Sequence, residues 1–215
     1  MRYDLVAMLA LKNSGEISES DFWAMLRCSQ RDFGRLINRS GAFVNELARE
    51  GVVLTNRLGN VHVLNSFRRY WQFLAPLEKK ALVVSAMDAV STDEPFKPTA
   101  PLTAVLEFER AIRTAQFRSL KCELLLRMID SAPPELMSAF EDSRRYVHKL
   151  QRRQRQARRR LREKLTSANL PAAVLTATLL HYVEMKSIEE VARKLGKSRR
   201  QIFRYLKAGK AALLC

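Results

Sequence analysis

The sequence predicts a mainly α-helical chain interrupted by one β-hairpin, and three observations carry that expectation. Apolar residues recur at spacings of three and four through most of the 215 residues, the period of a helix with one buried face. β-Branched residues gather only at residues 52–64, VVLTNRLGNVHVL, on either side of Leu58-Gly59-Asn60, which is a hairpin signal. The 7 glycines and 7 prolines are clustered, so they act as punctuation between elements. With 47% hydrophobic residues the chain can bury real cores, as one large domain or two to three small ones.

Residues 1–65 resemble a winged helix. Residues 3–12 would form the first helix. Ser18 or Ser20 would cap a second containing Phe22, Trp23 and Leu26, and Ser29 a third holding Phe33, Leu36 and Ile37. The hairpin would then be a two-stranded wing with Arg57 near its tip. In this arrangement Arg31, Arg35 and Arg39, spaced by four, would meet phosphate or base edges; in an ordinary small α/β interaction domain they would be solvated. Gly34 and Gly41 each weaken the third helix by up to ~1 kcal/mol relative to Ala, so a bent or broken helix is expected there.

Residues 66–140 read as a helical middle region. Phe67, Tyr70, Trp71 and Leu74 lie on one helical stripe. Pro76 should start a new helix carrying Leu77, Leu82, Val83 and Met87, because its ring suits a first turn. Residues 91–101, STDEPFKPTAP, form the expected linker. A long helix is predicted over 102–130, Pro133-Pro134 breaks it, and another runs from about 135 into an arginine-rich helix at 141–168.

Charge narrows the partners. Lys and Arg number 38 against 22 acids, giving +16 and a pI near 10.3, an excess that attracts polyanions. No apolar run reaches the ~18 residues of a spanning helix, and the start lacks the pattern of a signal peptide, so nucleic acid is expected rather than membrane. Cys28, Cys122 and Cys215 form no CxxC pair, and His62, His148 and His181 are scattered. No disulfide framework, metal site or cofactor site is therefore expected, and the chain reads as cytoplasmic and nucleoid-associated.

From Arg144 to Lys164 there are eleven basic residues and one acid, a balance of +10. Val147, Leu150, Ala157, Leu161 and Leu165 give this stretch one narrow apolar seam. Arg152, Arg153, Arg155, Arg158, Arg159, Arg160 and Arg162 are the candidate backbone-contacting residues. Three readings compete: a helix that tracks DNA phosphates, an arginine-rich RNA-binding helix of the antitermination type, or a solvated connector or acidic-partner surface.

Residues 169–215 are expected to be a helix-turn-helix domain. Ser187 and Glu190 make a capping box, and Ile188, Val191, Ala192 and Leu195 form one apolar stripe. Gly196 suits the left-handed conformation that ends a helix, and Ser198 caps a second helix after a very short interval. On that helix Ile202 and Leu206 face inward. Arg200, Arg204 and Lys207 share the opposite face, with Gln201 and Phe203 at its edges. Ser198, Arg199, Arg200, Gln201, Phe203, Arg204 and Lys207 are the candidate DNA-binding residues, since Arg can pair with guanine and Gln with adenine in the major groove.

Residues 170–213 resemble the promoter-reading fourth region of sigma factors. The matching features are the opening Leu170-Pro171, the apolar helix ending in Tyr182-Val183-Glu184, the capped Ser187-x-Glu189-Glu190-Val191-Ala192, and Leu195-Gly196-x-Ser198. The same frame occurs in quorum-sensing-type response regulators. Lys197 stands where the family usually has Ile or Val, and no segment resembles the family's second region, which melts promoters. The resemblance therefore implies promoter-type contact with double-stranded DNA, and contact with RNA polymerase, without a complete sigma factor. The expected function is a bacterial or phage transcription regulator; no catalytic set is apparent, so it is not expected to be an enzyme. The alternatives are an antitermination-type factor that binds RNA polymerase and RNA, and, behind it, a DNA recombinase.

Overall fold

The computed structural model describes residues 8–9, 11–12, 15–87 and 100–214. Among them the chain is mainly helical. The elements are α1 (Glu19–Met25), β1 (Arg27–Cys28), α2 (Gln30–Ile37), α3 (Gly41–Arg49), β2 (Val61–His62), α4 (Val63–Phe73), α5 (Pro76–Met87), α6 (Pro101–Leu126), α7 (Pro134–Ser167), α8 (Ala172–Thr178), α9 (Ile188–Leu195) and α10 (Arg199–Leu214). A π-helical turn, Leu179–Val183, continues α8. Two compact units result: Met1–Asp93 with Arg113–Val147, and Glu94–Ile112 with His148–Cys215. No helix among the described residues is long and apolar enough to cross a membrane.

In the first unit, serines start three successive helices. Ser18, Ser29 and Ser40 each accept a hydrogen bond from the backbone N–H three residues on, at 3.0, 3.1 and 3.1 Å, which satisfies a donor the helix itself cannot pair. The break expected near Gly34 and Gly41 falls at Asn38, whose φ of 57° is left-handed. Arg39 N–H donates back to the Gly34 carbonyl at 2.8 Å. A Cβ on Gly34 would lie 2.5 Å from the Arg39 carbonyl oxygen, so only bare backbone fits that approach. What reads as one third helix is therefore two, α2 and α3.

The hairpin expected at 52–64 is smaller and differently paired. β2 runs antiparallel to β1, with Arg27 opposite His62 and Cys28 opposite Val61. The nearer strand contributes a single bridge, Thr55 to Val61. Asn56 Oδ1 accepts from Leu58 N–H and Asn60 N–H at 2.9 and 3.0 Å, and Gly59 takes φ 75°, closing the turn locally. Val63 and Leu64 belong to α4 rather than to a strand. The reason lies in Ser66, whose buried hydroxyl accepts from Leu54 N–H at 2.9 Å and donates to Leu54 O at 3.3 Å. Leu54 is thus shared between the two elements, its carbonyl accepting also from His62 N–H in β2 at 2.9 Å.

The expected boundary between residues 65 and 66 falls inside α4, and that between 140 and 141 inside α7. Phe22, Phe33, Val44, Phe67, Leu82, Leu120 and Leu136 share one buried cluster, so α4, α5 and the adjoining parts of α6 and α7 complete the core that α1–α3 begin. Within it Lys121 is only 6% exposed. Its ammonium donates to Asn38 Oδ1 at 3.1 Å and Ser85 Oγ at 2.7 Å, clamping the α2–α3 break, and burial lowers its pKa to about 8. The linker expected at 91–101 lies outside the described residues as far as 99, and Pro101 opens α6.

Candidate nucleic-acid interface

The second unit builds a rigid platform for α10. Ser187 Oγ accepts from Glu190 N–H at 3.2 Å while Glu190 Oε2 accepts from Ser187 N–H at 2.8 Å; the Ser187 bonds hold the Glu190 carboxyl below its ordinary pKa. Gly196, at φ 61°, ends α9, and Lys197 N–H closes the turn on Ala192 O at 3.0 Å. Ser198 Oγ then accepts from Gln201 N–H at 3.3 Å to start α10. Ala177, Leu180, Val191, Ile202 and Leu206 form the core beneath. Where α10 crosses α8, a Cβ on Gly209 would lie 2.2 Å from Thr178 Oγ1. Ahead of α9, His181 Nδ1 bonds the Lys186 carbonyl at 2.8 Å, which requires the proton on Nδ1.

The candidate DNA-binding residues on this platform divide by whether their side chains are committed. Ser198 is spent as a cap. Arg199 pairs with Glu189 at 2.8 Å, and Gln201 Nε2 donates to Tyr205 Oη at 3.0 Å. Arg200, Phe203, Arg204 and Lys207 are all exposed. They recur at intervals of three and four, so they form one outward stripe. Among the described residues Arg200, Arg204 and Lys207 have no ion-pair partner. Phe203 is 53% exposed in their midst.

The arginine-rich part of α7 divides in the same way. Leu150, Ala157, Leu161 and Leu165 are buried along the seam, and Arg152, Arg153, Arg155, Arg159, Arg160 and Arg162 are exposed. Arg159 pairs with Glu163 at 3.1 Å. Arg158 departs from the expectation: it is half-buried, and one guanidinium nitrogen donates to buried Gln154 at 2.9 Å. Its Nε has no hydrogen-bond partner among the described residues. Burial pulls the Arg158 pKa below its ordinary value, and Glu109 works against that shift. Arg158 therefore serves the interior of the unit. At 100° per residue Arg152, Arg155, Arg159 and Arg162 share one flank of α7, and Arg153 and Arg160 the other.

From residue 148 onward eighteen basic residues face four acids, +14 of the chain's +16. Lys186, Arg193, Lys194, Lys197 and Lys210 are exposed members of this field that the motif-centred reading passed over; a charge count by segment finds them. In the first unit, two of the three arginines spaced by four are paired, and Arg31 is exposed with no ion-pair partner among the described residues. Arg35 pairs with Asp32 at 3.2 Å, and Arg39 with Glu78 at 3.2 Å while lying over the Phe43 ring. The outward side of α3 shows Asn45, Glu46 and Arg49, a mixed surface. The α8 residues Val174, Ala177 and Thr178 and the following Leu180 and Val183 are buried, so this helix spends most of its apolar surface on the unit's own core.

No protein-family model, no curated protein and no solved structure matches the chain. The sigma-like resemblance therefore rests on the residues quoted for it.

Proposed function

We propose that this chain is a DNA-binding transcription regulator whose α9–α10 pair acts as a helix-turn-helix, laying α10 in the major groove of duplex DNA. The observation that carries the reading is the uncommitted stripe of Arg200, Phe203, Arg204 and Lys207 on a helix fixed by a capped turn. α10 has 16 residues, ~24 Å of helix, against a major groove ~12 Å wide. Its N-terminal turns carry the guanine-reading side chains, and the exposed arginines of α7 supply phosphate contacts. In the first unit, the order α1–β1–α2–α3 followed by the Asn56–Asn60 turn and β2 supports a winged-helix-like reading, with its mixed surface suited to a protein neighbour.

A contact with RNA polymerase through residues 170–182 and the tail at 211–214 would have half-buried Leu170, Leu175, Leu179 and Tyr182 and the small side chains of Ala172, Ala173 and Ala211 to offer. Duplex DNA is the partner we assign. The density of exposed arginines on α7 favours an RNA-binding, antitermination-type factor as the second reading. A competition titration separates specific from general contact. Arg200→Ala and Arg204→Ala should each weaken binding to a selected duplex by roughly 1–3 kcal/mol while leaving random duplex nearly unaffected. Equal losses on both DNAs would reassign these residues to phosphates, and binding confined to RNA would overturn the assignment of duplex DNA.

A further inference from the structure

Phe203 is out of place for a residue that merely completes a core. Its neighbours on α10 show the contrast: Ile202 is fully buried and Leu206 is 5% exposed, whereas Phe203 is 53% exposed. It is flanked by Arg200 one turn before, Arg204 beside it and Lys207 one turn after. Among the described residues no ring stacks against it and no cation sits over its face. Its apolar surface therefore lies in the most cationic part of the stripe, which strong hydration would otherwise keep polar.

We infer that Phe203 reads thymine. The inference rests on the proposed docking of α10 in the major groove. There the base pairs present donors and acceptors together with one apolar group, the C5-methyl of thymine, and an aromatic side chain is a recognised match for it. A single ring on a convex helix suits this contact. Holding unpaired bases by stacking instead uses a groove with aromatics for successive bases. Arg200 lies one helical turn, ~5.4 Å, from Phe203 and Arg204, while successive base pairs are ~3.4 Å apart. The preferred sites should therefore carry a thymine one or two base pairs from a guanine, with Arg200 or Arg204 on the guanine N7 and O6.

The test uses the full chain and a random-sequence 20-base-pair duplex pool, enriched by repeated capture and then resynthesised with deoxyuridine in place of thymidine. Wild-type affinity should fall about four-fold for each contacted methyl that is lost. Phe203→Ala should bind both preparations alike, and Phe203→Leu should keep part of the discrimination. Since the residue is exposed, these variants should fold as wild type, checked by circular dichroism. Equal wild-type affinity for the two preparations, or an enriched pool without thymine preference, overturns the inference while leaving duplex binding intact. Failure to retain any duplex overturns the docking of α10 itself.

Discussion

Replacing Arg152, Arg155 and Arg162 together by Gln should lower the slope of log affinity against log salt for duplex DNA by about 2.7 units. These three lie on one flank of α7 and are exposed. Arg159 lies on that flank too but is paired with Glu163, so it is left in place. The ten-residue interval spans ~15 Å of helix, and duplex DNA carries one phosphate charge per ~1.7 Å of axis. Each arginine can thus meet its own phosphate, and each phosphate neutralised releases ~0.9 counterion. Between 50 and 200 mM salt the wild type should then lose about 40-fold more affinity than the variant.

The assay is fluorescence anisotropy on one labelled duplex across a salt series, with Arg158→Gln as an internal control. Arg158 is turned toward Gln154, so its replacement should leave the slope unchanged and act on stability instead. An unchanged slope in the triple variant would mean that α7 faces solvent or protein and would refute its role as a phosphate-tracking helix. A slope change seen with RNA and absent with duplex would favour the antitermination reading.

Two further outcomes test the packing that presents these surfaces. Gly209→Ala should destabilise by ~1–3 kcal/mol through overpacking, because the new Cβ would meet Thr178 Oγ1 at 2.2 Å; pairing it with Thr178→Ala should recover part of the loss, and an unchanged melting temperature would refute the close crossing. Lys121 has a folded pKa of about 8 against an ordinary 10.5, so between these values the unfolded chain binds more protons and stability rises with pH, by at most ~1.4 kcal/mol per unit. Lys121→Met should lack that rise. Burial pushes the Cys122 thiol up to about 11 while the Lys121 charge lowers it, so Lys121→Met moves that thiol too. The denaturant-unfolding curves are therefore compared between pH 8 and 9, below its titration; parallel pH dependences there would refute the buried ammonium.

How much of this was legible depends on how local each determinant is. Ser187, Glu190 and Gly196 act within three to nine residues of one another, so the α9–α10 frame can be read from sequence as capping chemistry. The α2–α3 break is less legible, because Asn38 adopts the left-handed conformation without being glycine and Lys121, 83 residues away, holds it there. The pairing of β2 with β1 is likewise invisible to a pattern search that looks for a partner strand across the nearest turn. Commitment of charged side chains falls between these cases. Arg158 sits four residues after Gln154 and three before Leu161, on the buried side of the helical wheel, and Gln201 sits four before Tyr205; both could be read from spacing. Arg199 pairs with Glu189 across the turn, which only the fold decides. A basic side chain that already makes an ion pair or hydrogen bond gives up part of that contact, worth ~0–1 kcal/mol at the surface, before it meets another partner. The uncommitted part of the outward surface of α10 is therefore narrower than its charge suggests, and Phe203 stands inside it.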